Sequence, residues 1–304
     1  LFNTDSALDL PTVGDFVYAQ LFDDDTLAII QDILPRKSLL KRKAAGKKID
    51  FQLIAANIDI AIIMQALDSN FNIRRLERYL VIINDNNITP LILLSKSDLI
   101  SPEEAEEKKK QILEILPDAK IFSFSNNSLN DIENIKTLFT PHKTYCLLGS
   151  SGVGKTTLLN NLIHQDLYKT QPIREKDDRG KHTTTRRELI ILENGAIIID
   201  NPGMRELGII SNESGINSTF GEIDELSDQC KYKDCTHTVE AGCAVLEALE
   251  RGEISRERYE NFLKLYKESK YNEMSYVEKR QKDKKWGKFF HSTMKDVKKM
   301  KGKE

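Results

Sequence analysis

Two nucleotide-handling motifs stand in reversed order along this chain. Gly149-Ser150-Ser151-Gly152-Val153-Gly154-Lys155-Thr156 fits the G-x-x-x-x-G-K-[ST] pattern in full. An apolar run at 143–148 leads into it and a helical pattern at 156–163 follows, the strand–loop–helix setting that such a loop requires. The nearest match to a purine-reading [NT]-K-x-D element is Ser95-Lys96-Ser97-Asp98, which lies about fifty residues earlier. The ordinary order places that element roughly a hundred residues after the loop. The shorter, inverted separation still fits between two strands of one α/β sheet. The chain therefore reads as a circular permutation of a guanine-nucleotide-binding fold.

Each part of the nucleotide site has a chemical reason. The loop residues Gly149, Ser150, Ser151, Gly152, Val153 and Gly154 turn backbone N–H groups inward around phosphates, and the following helix N-terminus adds its partial positive charge. Lys155 is placed to neutralise β and γ oxygens, the Thr156 hydroxyl to ligate Mg²⁺, and Thr157 to extend the phosphate contacts. Asp200-Asn201-Pro202-Gly203 is a D-x-x-G element at a strand end, with Asp200 expected near Mg²⁺ and the Gly203 N–H near the γ-phosphate. Between them runs Gly180-Lys181-His182-Thr183-Thr184-Thr185-Arg186, whose Thr185, with Thr184 second, is expected to reach Mg²⁺ only when the γ-phosphate is present. Asp98 would accept from both guanine N–H groups, a pair that adenine does not offer, and Lys96 would lie over the base. Ser95 replaces the usual Asn, weakening the match and leaving a permuted ATPase as a competing reading. Ser123-Phe124-Ser125 is a poor match to a base-supporting turn, although Ser123 and Ser125 stand where one belongs. Met204 follows D-x-x-G where many GTPases carry the water-orienting Gln, so His182 is the candidate catalytic group, against an ordinary solvated loop histidine.

Cys230, Cys235, His237 and Cys243 form a Cys₃His set within a short stretch. Four protein ligands leave no open position, which points to one structural Zn²⁺ rather than a catalytic one; redox chemistry and chance clustering are the alternatives. Cys146 falls in an apolar run and is expected in the core.

Hydrophobic content of 39% and charge of 30% are those of a globular chain, and no apolar run approaches a membrane span. No signal-peptide pattern follows Leu1, so a cytoplasmic location is expected. Net charge is −2, yet residues 279–303 carry about eleven Lys/Arg against about two acids, a basic tail suited to RNA phosphates or a solvated helix end. Residues 1–57 show short apolar stretches separated by turn signals, as in a small OB-type barrel, with a basic loop at 35–43 offered to RNA or simply solvated. Alternating strand and helix patterns from residue 58 predict a mostly parallel sheet, with a hairpin around Asn194-Gly195. A late helix carries Tyr259, Phe262, Leu263 and Tyr266 on one face. The expected organisation is an α/β fold in three parts: an OB-fold β-barrel (1–57), a circularly permuted P-loop GTPase domain (58–221), and a zinc-binding helical domain with the basic tail (222–304).

Taken together, the chain resembles the ribosome small-subunit-dependent GTPase A family, also called RsgA or YjeQ. The resemblance spans nearly the whole chain and rests on Val13-Gly14-Asp15, Leu34-Pro35-Arg36, Ala55-Ala56-Asn57-Ile58-Asp59, Arg78-Tyr79-Leu80, the phosphate loop, 180–185, 200–203 and the Cys₃His set. It implies a GTP hydrolase that binds the 30S ribosomal subunit and its 16S rRNA in late maturation. Hydrolysis would be stimulated by the subunit, with a switch histidine as catalytic group and GTP/GDP, Mg²⁺ and Zn²⁺ as bound species. A monomer with no membrane contact is expected. The competing functional class is a nucleotide-gated RNA-binding module with little catalysis. The barrel lacks its first strand unless that strand precedes Leu1.

Overall fold

The structure, a computed structural model, describes residues 7–24, 26–43, 51–163, 188–200, 213–274 and 278. Its first part consists of two antiparallel hairpins, β1 (Val17–Phe22) with β2 (Leu27–Ile33) and β3 (Leu39–Lys43) with β4 (Phe51–Ala56). Where sequence predicts a closed barrel, the described residues form two separate two-stranded sheets. The pairs do not share a ladder, and the β1–β2 hairpin leaves Tyr18, Leu21, Leu27 and Ile29 exposed.

The centre is a six-stranded sheet. Its strands are β5 (Ile60–Ala66), β6 (Thr89–Ser95), β7 (Ile121–Ser123), β8 (Thr144–Gly149), β9 (Glu188–Ile191) and β10 (Ile197–Asp200), in the spatial order β7-β6-β5-β8-β10-β9. All neighbours pair in parallel except β9 with β10, which form the hairpin foreseen at Asn194-Gly195. Parallel pairing places the carboxyl ends of β5, β6, β7, β8 and β10 along one edge, where α/β sheets hold their ligands. β5, between β6 and β8, is covered on both faces, so residues 61–66 are all buried.

Two helices cover the β5–β6–β7 side: α1 (Ile73–Asp85) and α2 (Pro102–Ile115), the latter begun by a Ser101–Glu104 capping box. α3 (Leu129–Lys136) and α4 (Lys155–Ile163) flank β8. The sequence pattern placed every one of these elements within a few residues except α3. That helix spans two turns and opens on Ser128, whose side chain accepts from the Asp131 N–H.

Four further helices follow: α5 (Glu213–Thr219), α6 (Gly221–Ser227), α7 (Ala244–Glu250) and α8 (Arg256–Glu273). One hydrophobic cluster runs without a break from Ile63 and Leu76 under the sheet to Cys243, Phe262 and Leu265. Buried side chains on both sides of residues 221 and 222 belong to this cluster. α5 lies so close on α1 that a Cβ at Gly215 would meet the Val81 carbonyl oxygen at 2.3 Å, a distance no side chain tolerates.

Polar contacts reinforce this junction. The Glu77 carboxylate on α1, fully buried, accepts from Arg258 at 2.8 Å and Asn261 at 2.5 Å, both on α8. Arg258 also donates to Glu222 and to the Thr219 carbonyl at 2.8 Å, and its guanidinium lies 4.6 Å from the Phe220 ring centre. Arg78 forms a two-pronged pair with Glu268, both bonds 2.7 Å. A buried carboxylate is tolerated because its partners replace the lost water.

Candidate functional site

At the carboxyl edge of the sheet, β8 ends in Gly149 and the chain bends through 150–154 before α4 begins at Lys155. Gly154 adopts φ +91°, and a Cβ there would lie 2.6 Å from Asn126 Nδ2, so the turn requires glycine. Lys155 Nζ donates to the carbonyls of Gly149 at 2.8 Å and Ser150 at 2.9 Å, which holds the ammonium over the loop. Val153 is buried beneath it, while Gly154, Thr156 and Thr157 are half-buried and Ser151 and Gly152 exposed. The Ser150 hydroxyl is buried and has no hydrogen-bond partner among the described residues. A polar ligand at the loop would satisfy it, which fits a phosphate cradle.

The early motif reaches the same edge. Ser95 ends β6 and is fully buried; its Oγ donates to the Val153 carbonyl at 2.6 Å, with the Gln65 carbonyl at 3.3 Å. A hydroxyl has one proton, and the shorter distance takes it. The Ser95 side chain thus ties β6 to the phosphate loop. Lys96 sits in the left-handed region at φ +61°, and its Nζ pairs with Asp68 at 2.8 Å. Burial pushes the Asp68 carboxyl up, but hydrogen bonds from Lys96 and Asn70 outweigh this and hold it below the usual carboxylate range. With its charge anchored there, the methylene stem of Lys96 is the part left for a base. Asp98 is exposed in a short 3₁₀ turn (Ser97–Leu99).

The third loop, after β7, joins in. The Ser97 N–H donates to the Phe124 carbonyl at 3.2 Å, linking it to the base-reading turn. Ser123 Oγ is buried without a partner among the described residues, and Ser125 is buried with its N–H on Asp131 at 2.8 Å. Sequence reasoning missed Asn126. Its Nδ2 donates to the Gly154 carbonyl at 3.3 Å, its own carbonyl accepts from Asn161 at 3.0 Å, and its Oδ1 is buried without a partner among the described residues. Asp68 was likewise missed, since no motif places it. Asp200 closes β10 and is half-buried. His182, Thr184, Thr185 and Gly203 lie outside the described residues, as does the basic tail at 279–303.

The cysteine cluster is assembled. One ligand atom from each of Cys230, Cys235, His237 and Cys243 lies within 4.8 Å of the others. Cys230 and Cys243 sulfurs are 3.8 Å apart, and His237 Nδ1 is 3.6 Å and 3.5 Å from them. Zn–S bonds of about 2.3 Å in a tetrahedron give S···S near 3.8 Å, so the spacing fits zinc. The cysteines are not disulfide-bonded. Burial pushes the Cys243 thiol up to about 12, a cost that a divalent cation would reverse. Glu240 shapes the knuckle, accepting from the Thr236, Thr238 and Val239 amides and the Thr236 hydroxyl, with amide distances of 2.9 to 3.0 Å. Tyr259 on α8 donates to the His237 carbonyl at 2.6 Å, which orients the ligand from the core side.

One expected RNA contact is reassigned. Arg36, in the basic stretch 35–43, pairs with Asp15 at 2.7 Å and donates to the Leu8 and Leu10 carbonyls, so it staples the first hairpin's base rather than standing free.

The sequence profile of the RsgA GTPase family matches residues 33–210. The small ribosomal subunit biogenesis GTPase RsgA 2 of Listeria monocytogenes serotype 4b is 43% identical over 267 residues, covering 88% of this chain and 75% of its own length. RsgA 2 of Vibrio parahaemolyticus serotype O3:K6 is 37% identical over 297 residues, covering 98% and 81%. Among solved structures, YjeQ from Thermotoga maritima superposes with a TM-score of 0.63 at 27% identity, covering 86% of each chain. YloQ, described as a circularly permuted GTPase, gives 0.61 at 26% identity, covering 90% of this chain and 85% of its own.

Proposed function

The chain belongs to the RsgA GTPase family, and from that membership we propose a GTP hydrolase that acts in small ribosomal subunit biogenesis. The observation that carries the reading is the 2.6 Å bond from Ser95 to the Val153 carbonyl, which brings a purine-reading loop against a phosphate loop encoded later in the chain. Asp98 selects guanine, Lys96 lies along its face, and the turn at Ser123 and Ser125 supports it. The amides of 149–154 and the Lys155 ammonium grip the β and γ phosphates, with Thr157 behind them. Thr156, Thr185 and Asp200 would hold Mg²⁺, which neutralises phosphate charge when bound, and Gly203 and Thr184 would meet the γ-phosphate. His182 would orient the attacking water, because Met204 cannot.

The Cys₃His set would hold one Zn²⁺, structural in role because every ligand is a protein side chain. The organisation proposed is an OB-type barrel completed around the two hairpins (1–57), a permuted GTPase domain (58–221) and a zinc-binding domain with a basic tail (222–304). The barrel and tail would contact 16S rRNA, in a monomeric cytoplasmic protein; no described helix is long and apolar enough to cross a membrane.

The test is phosphate release from GTP with and without purified 30S subunits. Stimulation by the subunit is expected, and His182→Ala should lower stimulated turnover by about 10²-fold or more with GTP affinity nearly unchanged. Equal turnover with and without subunits would leave a nucleotide-gated binding module instead.

A further inference from the structure

Two side chains cross-brace the nucleotide edge, Ser95 from the first position of the purine-reading element and Asn126 from outside the motifs. Ser95, the last residue of β6, donates to the Val153 carbonyl at 2.6 Å. Asn126, from the loop after β7, donates to the next carbonyl, Gly154, at 3.3 Å. Adjacent peptide units of the phosphate loop are thus each held by a different purine-side loop.

The consequence follows from peptide planarity. A carbonyl and the N–H of the following residue lie in one rigid plane and point in opposite directions. Fixing the Val153 oxygen therefore fixes the direction of the Gly154 N–H, and fixing the Gly154 oxygen fixes the Lys155 N–H. Those amides face away from the braces, where anions are received at the start of α4. Gly154, at φ +91° and without a side chain, has little intrinsic stiffness to hold that direction. Its carbonyl is also the first acceptor of α4, from the Leu158 N–H at 2.9 Å, so the brace and the helix share one oxygen. Asn126 is itself fixed from α4, through Asn161.

We propose that Ser95 and Asn126 are positioning residues that couple purine binding to phosphate binding. They aim the Gly154 and Lys155 amides at the β-phosphate, and seating of the purine loops sets that aim. The inference rests on the guanine-nucleotide reading above and adds to it a role for two side chains that hold the phosphate loop's own carbonyls.

The test compares GDP with GMP, which lacks the β-phosphate, by calorimetric titration of the full chain. Ser95→Ala and Asn126→Ala should each weaken GDP by roughly fivefold, the worth of one hydrogen bond. GMP should weaken by less than about twofold. Ser95→Thr keeps the donor and should restore GDP affinity, whereas Ser95→Cys keeps the volume, weakens the donor and should not. That pair keeps the comparison available if Ser95→Ala folds poorly. Unchanged GDP affinity in the alanine and cysteine variants, or equal losses for GDP and GMP, would overturn the brace and leave a packing role. Failure of the parent chain to bind GDP would instead overturn the nucleotide reading, and the brace with it.

Discussion

The nucleotide edge and the cysteine unit solve the same problem by opposite means. Each must hold short irregular loops in a fixed arrangement around a charged guest. At the nucleotide edge the loops hang from strand ends of a six-stranded sheet, and cross-links such as Ser95–Val153 and Ser97–Phe124 complete them. The frame is made by the protein alone. The cysteine unit has only short helices and a knuckle closed by the Lys231 N–H on the Gly242 carbonyl at 3.0 Å. Its thiols and imidazole converge in a set that could hold a metal ion, and α8 supports it through the Tyr259 bond to the His237 carbonyl. Stability at the first site would precede the ligand; at the second a bound metal and a neighbouring helix would supply it.

The sharpest way to break this contrast is to remove the metal. Chelation, or Cys243→Ser, should abolish bound zinc and unfold the unit around 230–243, with more than about 5 kcal/mol lost from a metal contribution of roughly 10–16 kcal/mol. Metal analysis and thermal denaturation read both effects, and an unchanged melting temperature would place the unit with the self-supporting frame. Next in size is Glu77→Ala. It removes the buried acceptor shared by Arg258 and Asn261, leaving Arg258 on Glu222 and the Thr219 carbonyl, and should cost about 3 kcal/mol, seen as a lowered melting temperature with zinc retained. A loss under about 1 kcal/mol would show that the unit does not lean on α1. Lys155→Ala should then cost about 100-fold in GDP affinity, near 2.7 kcal/mol, while melting of the nucleotide-free protein stays put. A large drop in stability there would make the phosphate loop as dependent on its own cation as the knuckle is on zinc. The smallest effect concerns acid. The Asp68 carboxyl is held low in the folded state, so its pairing with Lys96 stabilises above the unfolded carboxylate range near pH 4 and is lost as pH falls through the lower folded value. Asp68→Asn should flatten the stability profile below about pH 4, and an unaltered profile would remove the pair from the frame's support.

What the sequence disclosed follows the range over which each contact acts. The phosphate loop and the Cys₃His set are legible because their chemistry is packed into a dozen or so neighbouring residues, about the span of one loop. The sheet was legible because β5, β6 and β8 are buried runs of apolar residues. The pairing of Glu77 with Arg258 was not, since the two are 181 residues apart and each alone reads as a solvated helix charge. Asn126 was hidden for a different reason: in a run of Ser and Asn, any one of them could be an ordinary turn residue. The bond from Ser95 was hidden because a motif records the residue type, while the contact depends only on a donor reaching Val153. The barrel was inferred from turn signals that separate hairpins display equally well, because strand count and turn chemistry do not specify which edges pair.

Gly215 has a consequence beyond packing. With its Cα hydrogen facing the Val81 carbonyl, even the smallest chiral substitution pushes α5 off α1. The zinc knuckle can therefore drift in sequence so long as its four ligands persist, but the seam that joins it to the sheet admits almost no inheritance other than the residue already there. Relatives of this chain would be expected to vary on either side of that seam while leaving it untouched.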